Sequence, residues 1–354
     1  MHLPFSPNLS TPQLAASFGN TSATYKFYWL IAILESVENG SSSIKKRALF
    51  ARMITNSWYT VNYFKVSFGK QDLIQNAVQQ LLHLENLTID IHKNKLLAIL
   101  ENSDNINTRL ILNHFDKNVP HWFLSPWFPK TKKKNKNDGE YKKRIYVSSQ
   151  NFDNNCLYAL YDDVITINPD WIVYLKSNAK ILKDFCYWNL ALFLQSRNPN
   201  VPDIPNKLIK PAIRGTLSNQ RKKYWDIVFK ELGTVNCIFT DTKLTIDNFA
   251  IDHFVPHAFV SHNLIWNLIP IDKRFNSSKS DKLPSIEMHF DAFFELQKSA
   301  YEILNYHSPK SKFLEDFLTI YPAIKDINDF EYNKYKDCMQ PLITIAHNNG
   351  FIYL

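Results

Sequence analysis

The chain has 354 residues, enough for two or three packed units, and its 45% hydrophobic and 14% aromatic content excludes a disordered protein. Its longest apolar run, residues 27–34, lies between Lys26 and Glu35 and is far shorter than the ~20 residues needed to cross a bilayer. The net charge of +8 is concentrated: residues 130–144 carry +6 and residues 206–225 another +6, which suggests a polyanionic partner whose phosphates release counterions on binding.

The first residues, Met1-His2-Leu3-Pro4-Phe5, place no basic segment ahead of an apolar core, so a soluble, cytoplasmic protein without a secretory leader is expected. Cys156, Cys186, Cys237 and Cys338 are scattered with no Cys-x-x-Cys pair, which argues for reduced thiols and against a disulfide framework or a zinc ribbon.

From residue 21 to 115 the pattern is helical. Asn20, Thr21 and Ser22 offer caps, and Tyr25, Tyr28, Trp29, Ala32 and Ile33 recur at three- and four-residue spacing. Helical periodicity continues over 44–68, 73–84 and 92–100. The aromatics of the first of these runs (Trp58, Tyr59, Tyr63, Phe64) read as core rather than as a platform for stacked bases. Residues 120–138 hold Pro, Trp and a lysine run and read as a loop. Short β-prone segments follow at 144–148, 157–161 and 164–167, and Asn168-Pro169-Asp170 then opens a helix over 171–194. Four prolines make 198–211 a loop; helices are expected at 224–232, 286–304, 312–321 and 330–346. A Pro-Asp…Glu-x-Lys nuclease signature can be assembled from Pro169-Asp170 and Glu140-Tyr141-Lys142 only in reversed order, and Asp170 reads better as a helix-start residue.

Two β-prone runs, 235–240 and 249–255, flank a turn at Asp241-Thr242-Lys243, and the polar, helix-compatible segment 272–282 follows, giving strand, strand, helix. The second run carries Asp252 and His253, with Asn267 and Asn276 downstream. An acid beside a histidine, with amide side chains further on, supplies the parts of a one-metal phosphodiesterase site. The carboxylate and Asn276 can hold a divalent cation, and the imidazole can take a proton from water. Neighbours on a regular strand face opposite sides, so both can serve one phosphate only if the strand ends or bends there, which Pro256 makes reasonable.

The series Asp252, His253, Val255, Pro256, Phe259, Asn267, Leu268, Asn276, Lys279, Ser280, Asp281 and Pro284 resembles the HNH (ββα-metal) nuclease family. It is closest to the version in RNA-guided CRISPR nucleases and in bacterial restriction or defence proteins. The resemblance implies an α+β fold, mainly helical, with a ββα-metal module in the C-terminal third. The expected division is a helical region 1–115, a mixed basic region 116–229, the nuclease module 230–290 and a helical region 291–354.

Carried over by position, His253 is the general base, and Asp252 and Asn276 are ligands of Mg²⁺ or Mn²⁺. Asn267 belongs to the catalytic set by tying the loop to the hairpin so that His253 is oriented. Lys279 is expected to meet a phosphate, with Lys273, Lys222, Lys223, Lys132, Lys133 and Lys134 as further contacts to the DNA backbone. Many family members hold a structural zinc with two Cys-x-x-Cys pairs. Here those positions read Cys237-x-x-Thr240 and Asp272-x-x-Phe275, so no structural zinc is expected, and Phe239, Phe249, Phe259 and Trp266 should replace it by packing. His257 and His262 read as packing or surface residues rather than supplementary ligands. The function implied is a metal-dependent DNA endonuclease in bacterial restriction or phage defence. A nicking or homing-type enzyme, or a DNA-binding protein with an inactive HNH fold, are the alternatives. DNA is the expected partner, with a regulatory protein or a second copy of the chain considered beside it and no membrane.

Overall fold

The computed structural model describes residues 3–130, 137–209 and 215–354. Lys132, Lys133 and Lys134 lie outside the described residues, as do Lys210 and Arg214. The chain is a mainly helical α+β protein that divides into two compact units, one of residues 1–199 with 204–210, the other of 200–203 with 211–354.

In the first unit the apolar run 27–34 lies inside the Tyr25–Glu38 helix and is buried on every side, as a central core helix must be. The Lys46–Asn62 and Ala179–Arg197 helices pack against it. Strands β1 (Ser43–Lys45), β2 (Tyr158–Leu160) and β3 (Val164–Ile167) form an antiparallel sheet in the order β1-β3-β2, with Ile44 opposite Ile165 and Ala159 opposite Thr166. Sheet and core helix are joined by polar ring ends: Trp29 Nε1 donates to the Tyr158 hydroxyl at 3.0 Å, which donates to Pro120 O at 2.7 Å.

Several expectations change here. The segment 120–138, expected as a loop, begins inside the Val119–Phe123 helix. The run 44–68 begins as strand β1 before its helix. The β-prone segment 144–148 lies in the Asp138–Ser149 helix. Its alternation misleads because Tyr141, Ile145 and Ser149, at four-residue spacing, form the buried face while Val147 is 61% exposed, and Asn137 caps the first turn at Glu140 N. The long helix 171–194 is two helices, Pro169–Ser177 and Ala179–Arg197, separated at Asn178. Asp170 stands in the first turn of the former, where Asn168 caps it.

In the second unit β4 (Val235–Asn236) pairs with β5 (Lys243–Leu244), and β6 (Phe249–His253) with β7 (Leu268–Asp272), both antiparallel. The hairpin of the ββα arrangement is therefore β6–β7, not the expected pairing of 235–240 with 249–255. Pro270 disguises β7, yet a two-stranded ribbon leaves each strand an edge that tolerates proline. The Lys273–Lys279 helix follows directly, its first turn capped by Asp272, whose Oδ1 accepts from Arg274 N and Phe275 N at 2.9 Å each.

Behind the hairpin runs the Ile286–His307 helix, whose Phe293 stacks on Phe254 at 4.0 Å and whose Gln297 donates to Leu268 O at 2.6 Å. Residues 312–321 form one α-helical stretch, Lys312–Glu315, and then a 3₁₀ segment, Asp316–Thr319. Asp316 accepts from Ile265 N at 2.8 Å, and Tyr335 of the Tyr332–Asn348 helix donates to Trp266 O. The loop between β6 and β7 is thus pinned by elements that follow it in sequence. Among the described residues no helix is long and apolar enough to cross a membrane.

Candidate active site

Strand β6 ends at His253, and the chain bends through Phe254 and Val255 ahead of Pro256. The strict alternation of a strand ends there as well, and Asp252 Oδ1 comes to 4.0 Å from His253 Nδ1. Asn267 holds the bend. Fully buried, it accepts from Val255 N through Oδ1 and donates to Val255 O through Nδ2, both at 2.8 Å, while its own carbonyl accepts from Phe254 N at 2.8 Å. One amide side chain therefore satisfies both backbone groups of a buried residue that has left the ladder.

His253 is 2% exposed. Its Nε2 lies 3.1 Å from His262 O and 3.0 Å from Asn263 Oδ1. A carbonyl only accepts, so Nε2 carries the proton, and in the neutral ring Nδ1, on the Asp252 side, holds the lone pair. The His257 ring packs edge-on to His253 at 5.1 Å, and His262 lies against Trp266 at the same separation.

Lys279 departs from its expected place on a DNA phosphate. Its side chain is fully buried, and Nζ donates to Asp252 Oδ2 at 2.7 Å and to His253 O at 2.8 Å. Taking this ammonium out of water is costly, and the carboxylate and carbonyl offset that cost. The pairing leaves Oδ1 as the Asp252 oxygen on the imidazole side. Asn276 is half-buried one turn ahead of Lys279, hence on the same side of a helix that packs on β6 and β7.

The other expected cations are peripheral. Lys273 is exposed and donates to Asp247 O at 3.0 Å; Lys222 and Lys223 are exposed in the π-helical turn Arg221–Trp225. Arg221 just ahead of them, which sequence reasoning counted only as charge, donates to Phe249 O and Ile246 O at 2.8 Å each and lies 4.0 Å over the Phe249 ring, so it anchors the start of β6. Neither this role nor that of Asn263 leaves a signal in local sequence.

At the two positions that read Cys237-x-x-Thr240 and Asp272-x-x-Phe275, Cys237 Sγ accepts from Asp272 N at 3.5 Å. Phe239 stacks on Phe275 at 5.5 Å and on Phe254 at 6.4 Å, with the His289 ring at 4.9 Å. The other expected aromatics pack separately, Phe249 on Phe229 and Phe259 against Phe351. Among the described residues no group of three or more His, Cys, Asp or Glu side chains is placed to hold a metal ion, so a cation at Asp252 would draw its other donors from an amide, water and substrate.

No curated protein and no solved structure matches the chain. The family model for HNH endonucleases matches residues 237–285, a segment that runs from Cys237 through the β6–β7 hairpin and the Lys273–Lys279 helix. Residues 237–285 thus belong to the HNH endonuclease family.

Proposed function

We propose that this module hydrolyses DNA phosphodiester bonds with the help of one divalent cation, Mg²⁺ or Mn²⁺, and that His253 is the general base. The observation that carries the reading is the pairing at the end of β6: Nδ1 of a buried imidazole stands 4.0 Å from Asp252 Oδ1, with Nε2 turned to the His262 carbonyl.

The donor set fits the cation. Asp252 Oδ1 and the side-chain oxygen of Asn276 supply two hard oxygens, and Mg²⁺ characteristically keeps several waters beside one or two protein donors. When bound, the ion would offset charge on the scissile phosphate and on the departing 3′ oxygen. His253 Nδ1 takes the proton of a water that attacks in line, leaving 5′-phosphate and 3′-hydroxyl ends. Lys279 holds Asp252 in position, Asn267 fixes the bend that aims His253, and Lys222, Lys223 and Lys273 meet the phosphate backbone, joined by Lys132, Lys133 and Lys134. The Asp-His…Asn-x-x-Lys-Ser-Asp run shared with defence nucleases supports a role in bacterial restriction or phage defence.

The test is cleavage of supercoiled plasmid with Mg²⁺, Mn²⁺ or EDTA. Nicking is expected with either ion, none with EDTA, and His253→Ala should slow it ~10²- to 10⁴-fold. Folded protein without any His253-dependent cleavage would overturn the reading and leave a DNA-binding protein with an inactive HNH fold.

A further inference from the structure

The first unit contains a cavity of about 660 Å³, within the ~300–1,000 Å³ range of small-molecule sites. Tyr25, Lys26, Asn118, Trp122, Lys130 and Tyr141 line it, and among the described residues that do so none is acidic. The Trp122 and Tyr141 rings lie 5.4 Å apart, tilted by 52°, with the ammonium of Lys142 at 5.7 Å from the Trp122 ring and that of Lys130 at 5.7 Å from Tyr141. Tyr141 is fixed by its hydroxyl, which donates to Phe128 O at 2.7 Å.

The two lining lysines differ. Lys130 pairs with the exposed Asp138 at 2.8 Å, an ion pair open to solvent and of little energetic weight. Lys26 is half-buried and donates to the neutral carbonyl of Asn20 at 3.2 Å, and burial pushes its pKa down. An acid-free wall with a partly desolvated ammonium beside the partly exposed Trp122 ring, which the buried Tyr141 ring backs, calls for an anion attached to a flat ring. Apolar peptides would leave the ammonium without a counterion, and a bare anion would leave the partly exposed Trp122 ring uncovered.

We propose that this cavity binds a nucleoside phosphate, with the base on Trp122 and the phosphate reached by Lys26 and Lys130. The ligand is presented either free or as an unpaired nucleotide of a nucleic-acid strand. The proposal stands on the first unit alone and is independent of the nuclease reading.

The full chain would be titrated with AMP by calorimetry, and with a short fluorescent oligothymidylate by anisotropy, using AMP and inorganic phosphate as competitors. Stacking on an aromatic side chain is worth enough that Trp122→Ala should weaken binding about ten-fold or more, while Trp122→Phe retains most of it. Lys26→Met should weaken binding and lower the salt dependence by about one ion. Direct AMP binding identifies the free nucleotide as ligand. Oligothymidylate binding that responds to both substitutions, without AMP binding, identifies the strand. Absence of both, binding indifferent to the two substitutions, or phosphate competing as well as AMP would each overturn the site. Near-UV circular dichroism confirms that the variants are folded, and because Lys26→Met keeps the apolar stem it serves if Trp122→Ala does not fold.

Discussion

In the proposed mechanism two asparagines of the module do different work, and their substitution should separate stability from metal use. Asn267→Ala strips both partners from the backbone of Val255 in a buried bend, at a cost of ~1–3 kcal/mol for each group left unsatisfied. A lowered Tm is expected, and a lowered cleavage rate with it, because His253 loses its fixed aim. Asn276 sits half-buried on the short helix, and Asn276→Ala should leave Tm close to that of the unaltered protein while raising the Mg²⁺ concentration needed for half-maximal cleavage. Thermal melts combined with a Mg²⁺ titration distinguish the two, and an exchange of the effects would reverse the assignment. Both asparagines stand out in sequence because the proposed chemistry calls for amide side chains at that spacing. The placement of Lys279 does not. Whether a lysine near a phosphate site points outward or beneath the carboxylate depends on how the helix face turns, and one positive charge reads alike in both cases. The same holds for His253: sequence names the ring, but the donating nitrogen follows from a carbonyl that the folded loop brings to it.

Elements were readable where one periodicity dominated and obscured where two competed. The Tyr25–Glu38 and Ile286–His307 helices follow from their apolar spacing, whereas β7 contains a proline and the Asp138–Ser149 helix alternates apolar and polar residues over part of its length. Pairing was the larger loss. The module's hairpin joins strands separated by a 14-residue loop, 254–267, whose course is set by Gln297, Asp316 and Tyr335 from later in the chain, and no local pattern announces such contacts. A titratable group marks the short Val119–Phe123 helix of the first unit. Burial, reinforced by the charge of Lys46, lowers the His121 pKa to about 4 from an ordinary 6.5. Between these values the unfolded chain binds more protons than the folded one, so stability is lost as pH falls from about 6.5 to about 4 and is fully present above that window. Thermal melts should show a lower Tm at pH 5 than at pH 7, and His121→Gln should reduce the difference. An equal pH response in the variant would place the sensitivity elsewhere.

At the scale of the whole molecule the chain confines two blocks of +6 to residues 130–144 and 206–225 while the remainder is acidic, and an uneven field of that kind steers a polyanion more than it stabilises a fold. The structure divides the second block by role. Lys207 is buried, with its ammonium 5.7 Å from the Phe64 ring, Arg221 is spent on the carbonyls of Phe249 and Ile246, and Lys222 and Lys223 remain exposed. Formal charge therefore overstates what this block can offer to DNA, and the salt dependence of binding can measure the excess. Each phosphate neutralised contributes about 0.9 to the slope of log K against log salt. Replacing Lys222 and Lys223 by Gln should flatten the slope by up to about 1.8, and replacing Lys132, Lys133 and Lys134 by up to about 2.7, with kcat at saturating DNA changed little in both cases. Arg221→Gln should behave differently: the slope stays, while Tm and cleavage fall together because the start of β6 loses its anchor. A slope that is insensitive to the lysines of 132–134 would make that run a solvated loop, and one that responds to Arg221 would mean that its guanidinium leaves the two carbonyls for the backbone of the nucleic acid.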